Sequence, residues 1–298
     1  MDVIKQGVWA ALLSNILFGV LYLYSGWMAP MSGTDVFAWR MLAMLGALWL
    51  LLFATRSQGD FFRFIRQIGR NWRKWLLIVL PTPIIASQLW LFMWGPVNGY
   101  GVDVAMGYFL FPLMMVLCGW LFLRQQVTPV QWLAVALAGA GVAHELWQTR
   151  AFSWATLWVC LTYPVYYLLR RRQGVPALTG LLIDLSLIAP FALAYLVRQG
   201  SLGQLAAPSK YWLLVPLLGL ISAASMQLNL HASRLLPVPL FGMLSYLEPA
   251  LLFALSVTLL KVPVAEQSLL TYGLIWLALC VSLFDGWLKM RRPLWQAT

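Results

Sequence analysis

Glu248 is an ionisable side chain deep within an apolar run, in Ser245-Tyr246-Leu247-Glu248-Pro249. A charged group held in hydrocarbon costs about 2.5–3.5 kcal/mol even by insertion measurements, so a carboxylate there is expected to serve a proton, a cation or a substrate. The adjoining Pro249 has no N–H to donate and tends to kink a helix, which leaves carbonyls near Ser245 open to another donor. Arg40, in Phe37-Ala38-Trp39-Arg40-Met41, is a second charge at depth and the natural counter-ion. A fixed Arg40–Glu248 pair is the structural alternative to a coupling role, and an acid that exchanges its arginine for a proton would combine the two.

Residues 75–127 overlay residues 212–264 at one constant offset, without a gap: Trp75 falls on Trp212, Pro112 on Pro249, Arg124 on Lys261 and Val127 on Val264. The same register sets Tyr108 against Ser245 and Phe111 against Glu248, positions three apart and therefore on one helix face. One copy offers aromatics where the other offers a hydroxyl and a carboxylate, with Tyr246 beside them. Asn15, Gln88, Trp90, Trp94, Tyr163, Gln227 and Asn229 fall within apolar runs too. Each either lines a cavity with these groups or packs between helices, where a polar bond is worth about 0.6 kcal/mol on average. Trp9, Trp27, Trp75, Trp147 and Trp212 read instead as interfacial belts.

Other chemistries lack their residues. Cys118, Cys160 and Cys280 share no metal-ligand spacing, and His144 and His231 stand apart from any Cys/His cluster, so no metal and no cofactor is expected. There is no phosphate-cradling GxxxxGK[ST] loop and no GxSxG elbow. An enzyme needs two or more catalytic groups at one depth, and Glu248 has no second acid or histidine at its repeat-related position. A transporter is therefore expected and not an enzyme, with an intramembrane lipid-handling flippase or transferase as the alternative reading and uptake as the alternative direction. Asp184 lies shallower and within reach of the arginines at 170–172, while Asp285 sits at a helix end near Lys289, where snorkelling accounts for it.

These residues need a scaffold of spans. Hydrophobic residues make up 62% of the chain and charged residues 10%, against about 25% charged in soluble domains. Windows of about 20 residues place ten spans near 6–27, 33–54, 75–97, 102–123, 128–147, 152–169, 177–197, 210–231, 238–260 and 266–287. No small-residue cleavage site follows the first run, so it is expected to stay as a helix. The net charge of +11 does not point to nucleic acid, because the basic residues lie between the spans. With the N-terminus inside, Lys5, Arg56, the series from Arg63 to Lys74, Arg124, Arg170 to Arg172, Arg234 and Lys289 to Arg292 all face the cytoplasm. Only Arg150, Arg198, Lys210 and Lys261 face outward, a bias that puts both termini inside. Five spans per copy is an odd number, so the repeat (1–150 and 151–298) is inverted. Within residues 56–74, Phe61, Phe64, Ile65 and Ile68 recur at helical spacing among arginines, which suits a helix lying on the anionic inner leaflet as a topology anchor or a lipid sensor.

The run that includes Gln88, Trp90, Trp94, Asn98-Gly99, Gly107-Tyr108-Phe109 and Pro112-Leu113 resembles the third-to-fourth helix signature of RarD-type proteins in the EamA branch of the drug/metabolite transporter superfamily. Trp39-Arg40 resembles their His-Arg pair in the second helix, Gln131 to Gly139 their fifth, and Tyr163 to Arg171 their sixth with its closing basic pair. The resemblance covers almost the whole chain and is strongest over residues 88–142. Phe111 stands where an Asn is common, Asn15 where an aromatic or small residue is common, and residues 245–249 are closer to EamA proteins at large. The resemblance implies an all-α integral membrane protein of ten transmembrane helices, arranged as two inverted five-helix EamA repeats around a central cavity, and export of metabolites, amino acids or drugs. Together these readings predict a proton-coupled exporter of a small amphipathic substrate in the bacterial inner membrane, working by alternating access as a monomer or homodimer. An aromatic amino acid, an amine or a cationic aromatic compound fits one carboxylate among aromatic faces.

Overall fold

The computed structural model describes residues 3–56, 58–123, 127–149, 153–205, 210–236, 244–261 and 269–291. The regular elements among them are helical: α1 (Val3–Trp27), α2 (Gly33–Ala54), α3 (Gln58–Ile68), α4 (Trp72–Val79), α5 (Thr82–Val97), α6 (Gly101–Leu123), α7 (Pro129–Thr149), α8 (Trp154–Gln173), α9 (Ala177–Arg198), a 3₁₀ turn (Ser201–Leu205), α10 (Tyr211–Leu235), α11 (Leu247–Thr258) and α12 (Leu269–Arg291). Among the described residues, six stretches are long and apolar enough to cross a membrane: Val3–Trp27, Gly33–Ala54, Trp72–Val97, Gly101–Phe122, Leu178–Gln199 and Tyr211–Ala232. Helix α8 is not among them, since Tyr163, Pro164, Tyr166, Tyr167 and three arginines dilute its hydropathy.

Two of the expected spans are interrupted. The third breaks between α4 and α5 at Leu80 and Pro81, because neither Pro81 nor Pro83 has an N–H with which to continue the ladder. In the ninth, residues 244–245 are helical, Tyr246 forms a turn, and α11 starts afresh at Leu247. Glu248 therefore stands in the first turn of a 12-residue helix, directly before Pro249. Proline is tolerated there because first-turn N–H groups have no intrahelical acceptor. The repeat-related Pro112 lies inside the continuous α6, so aligned positions have folded differently.

The chain forms two compact units, each drawing on distant segments. The first comprises Met1–Gly19, Gly99–Pro164 and His231–Thr298. Within it α7 packs along α12, and α6 packs against α7, α11 and α12. Its core gathers Phe109, Leu113, Ala134, Ala138, Tyr246 and Ile275, with Phe253 and Trp276 packed on it. Close approach of α6 and α8 depends on Gly107, where a Cβ would meet Val159 Cβ at 2.6 Å.

The second unit comprises Val20–Asn98 and Val165–Leu230. Here α2 packs on α5 and α9, and α9 also meets α4 and α5. Ser32 caps α2 in a capping box with Asp35, whose buried carboxylate also accepts from Ser201 Oγ at 2.9 Å. Phe61, Phe64, Ile65 and Ile68 of α3 occupy one face as their spacing implies, and that face covers Ile78 and Ile183 of the same unit. Trp75, expected in an interfacial belt, joins this cluster and donates its indole N–H to Gly69 O at 3.0 Å. Trp9, Trp27, Trp147 and Trp212 are exposed.

Candidate functional site

Within the first unit, Glu248 is partly buried on α11, the helix that packs against α6. Helix α6 supplies Tyr108 and Phe111, and both rings rest on Tyr163 of α8: Tyr108 edge-on with centroids 5.9 Å apart, Phe111 tilted at 5.0 Å. Three of the residues singled out from the sequence thus form one aromatic group, with Tyr163 as its hub. Asn15 reaches the same segment as Glu248. Its Nδ2 donates to Leu244 O at 2.9 Å, just before the break at Tyr246. Asn15 is 1% exposed, and its Oδ1 has no hydrogen-bond partner among the described residues. The open carbonyl expected next to Ser245 is therefore at Leu244, and a side chain from α1 answers it. Ser245 is partly buried and Tyr246 is buried in the core of this unit.

The other predicted residues lie in the second unit. Arg40, 2% exposed on α2, donates Nε to Ser222 Oγ of α10 at 2.9 Å and places its guanidinium 5.3 Å from the Phe92 ring centroid. A hydroxyl and an aromatic face of the same unit thus contact this guanidinium. Trp90 and Trp94 stack on α5 with centroids 5.0 Å apart at 24°, and Trp90 Nε1 donates to Thr34 Oγ1 at 3.0 Å. Gln88 is buried on the same helix. Gln227 and Asn229 are partly buried on α10, and Gln227 Oε1 has no hydrogen-bond partner among the described residues.

Sequence reasoning undervalued one polar group. Asp184 is fully buried on α9, where it accepts from Thr82 Oγ1 at 2.6 Å and from Tyr166 Oη at 3.2 Å, and forms an ion pair with Arg170. The reach of Arg170 to Asp184 was legible. The depth of the carboxylate and the part played by Thr82 were not, although Pro81-Thr82-Pro83 marks an irregular spot. Arg124, Arg150 and the side chains of Arg171, Arg172, Arg234, Asp285 and Lys289 lie outside the described residues. Cys118 is partly buried, Cys160 buried and Cys280 exposed. His144 contacts Thr271 Oγ1 at 3.1 Å within the first unit. Among the described residues no group of three or more His, Cys, Asp or Glu could hold a metal ion.

Comparison with known proteins adds to this geometry. Residues 5–144 match the EamA-like transporter family. An uncharacterized transporter of Haemophilus influenzae is 45% identical over 294 residues, covering 98% of each chain. A Pseudomonas aeruginosa protein named chloramphenicol-sensitive protein RarD is 40% identical over 296 residues, covering 96% of this chain and 95% of that one. A solved crystal structure is similar with a TM-score of 0.56 at 15% identity, over 96% of this chain and 99% of the other, a likeness of fold alone.

Proposed function

We propose that this chain, which belongs to the EamA-like transporter family and within it to the RarD type, is a secondary-active carrier that exports a small amphipathic compound by alternating access, with Glu248 taking part in proton coupling or substrate binding. Membership makes it a multi-pass membrane transporter. Our reading adds ten spans in two inverted five-helix repeats, residence in the bacterial inner membrane and cytoplasmic termini. The constant-offset repeat and the distribution of lysine and arginine between spans support it.

The observation that carries the proposal is Glu248 in the first turn of an interrupted helix, on the element that packs against α6, the helix that also carries Tyr108 and Phe111. Discontinuous helices whose starts and open carbonyls border a cavity are a recurring way of binding ligand and coupling ion in carriers. Glu248 in the first turn of α11 offers a carboxylate with which the ammonium group of an amino acid or an amine can pair. The Tyr108, Tyr163 and Phe111 rings suit an aromatic portion of the same molecule. A phosphorylated sugar would instead require several cavity arginines.

The relative's name makes chloramphenicol, itself aromatic, a rational first probe alongside aromatic amino acids and aromatic amines. Purified protein is expected to gain thermal stability with at least one of these, and the gain is expected to vanish in Glu248→Gln. Proteoliposomes should move that compound when a proton gradient is imposed. No stabilisation by any of the three classes together with no gradient-driven movement would overturn the proposal.

A further inference from the structure

The break between α4 and α5 leaves main-chain oxygens without their usual donors. Leu77 O would accept from residue 81, but Pro81 has no N–H. Helix α8 answers with side chains: Gln173 Nε2 donates to Leu77 O, and Arg170 Nη1 donates to Ile78 O at 2.9 Å and to Gln173 Oε1 at 3.3 Å. The other end of the same guanidinium pairs with Asp184, which Thr82 and Tyr166 also hold. The head group lies 5.6 Å from the Tyr166 ring centroid, while its buried Nε has no hydrogen-bond partner among the described residues. All these residues belong to the second unit.

Carbonyls freed by a broken helix are a recurring way in which carriers surround a coupling cation, and here a carboxylate stands beside them. Here the positive charge arrives on a side chain. We infer that the Asp184 carboxylate, the Ile78 carbonyl at the α4–α5 break and Gln173 Oε1 form a cation site whose resident occupant is the guanidinium of Arg170, so that this unit is closed by a tethered cation. Two consequences distinguish such a site from ordinary packing. Withdrawing the guanidinium should loosen the break locally, and a free cation should restore it. The inference stands apart from the role of Glu248, since no residue is shared and the test requires no transported compound.

The test measures thiol labelling at Ile85, which is fully buried one turn beyond the break. Ile85→Cys is placed in a chain whose Cys118, Cys160 and Cys280 are replaced by alanine, and reaction with N-ethylmaleimide is timed on purified protein. Ala134→Cys, equally buried but in the first unit, reports on loosening elsewhere. Arg170→Ala and Asp184→Asn are each expected to speed labelling at 85 roughly tenfold to a hundredfold, the factor implied by leaving a buried polar group unsatisfied, with position 134 unchanged. Millimolar guanidinium should slow labelling again in Arg170→Ala but not in Asp184→Asn, and sodium in its place distinguishes a simple cation from a planar donor. Slowing by either cation confined to Arg170→Ala supports the inference. Slowing by neither, slowing in both variants alike, or equal acceleration at 85 and 134 overturns it. Arg170→Lys keeps a tethered charge without the fork and guards against a misfolded alanine variant: it should label at 85 more slowly than Arg170→Ala, and labelling as fast as in Arg170→Ala would overturn the inference.

Discussion

Asn15 and Leu244 are joined by a 2.9 Å hydrogen bond from the side-chain amide of the first to the carbonyl of the second, although 229 positions separate them in sequence. The bond supplies a donor where the helix leading to Glu248 is interrupted. Asn15→Leu should lower stability by about 1–3 kcal/mol, the range for stranding a buried acceptor. Asn15→Asp should lose the same bond wherever its carboxyl ionises, because an ionised carboxylate only accepts. Unfolding midpoints in detergent micelles measure both, and a leucine variant as stable as the parent would show that the bond contributes nothing.

Glu248→Gln keeps the size and polarity of the side chain while removing its charge. It should leave the protein folded and abolish either transport or its dependence on pH. Proteoliposome flux across a range of external pH is the measurement. Flux equal to that of the parent at every pH would remove Glu248 from the mechanism.

For Arg40 and Ser222 the expectation is direct coupling. Ser222→Ala should cost about 1.5–3 kcal/mol, as for a lost bond to a charged group. Arg40→Lys should also destabilise, because an ammonium has neither the planar fork that meets the hydroxyl nor the same affinity for the Phe92 face. The combined variant should fall short of the sum by about 0.5–3 kcal/mol. Strict additivity in chemical unfolding would show that the 2.9 Å contact carries no energy.

The aromatic hub should govern ligand choice. Tyr163→Ala removes the ring on which Tyr108 and Phe111 both rest, and together with Tyr108→Ala and Phe111→Asn it should reorder a series of competing aromatic and cationic compounds. Trp90→Phe loses only the bond to Thr34, worth about 1 kcal/mol, and should leave that order intact. Competition binding on purified variants decides the matter: an unchanged order in all three hub variants would make these rings packing.

The helical membrane class was legible because it rests on signals spread over the chain: apolar runs of span length, sparse charge and basic residues confined between runs. The faces were legible too, since Phe61, Phe64, Ile65 and Ile68 do share one side of α3. What covers that side was not, because the pattern of an amphipathic helix is the same whether lipid or protein lies beneath it. The interruptions were partly visible in Pro81, Pro83 and Pro249, yet a window averaged over a span hides them. The donors that repair the breaks could not have been read at all. Asn15, Arg170 and Gln173 come from 229, 92 and 96 positions away, and no local spacing announces such a contact.

The interleaving of the two units has a consequence for biosynthesis. A nascent chain that has reached residue 230 holds every segment of the second unit, but only the first two of the three segments of the first. During synthesis the second unit can therefore close early, while the first keeps α6 and α7 waiting for α11 and α12. Those waiting faces, together with Asn15, have no cover from their own unit until the last quarter of the chain has emerged. The order of translation thus assigns the two units different lifetimes as unfinished structures, and the unit that holds Glu248 is the one that must be kept longest from wrong partners.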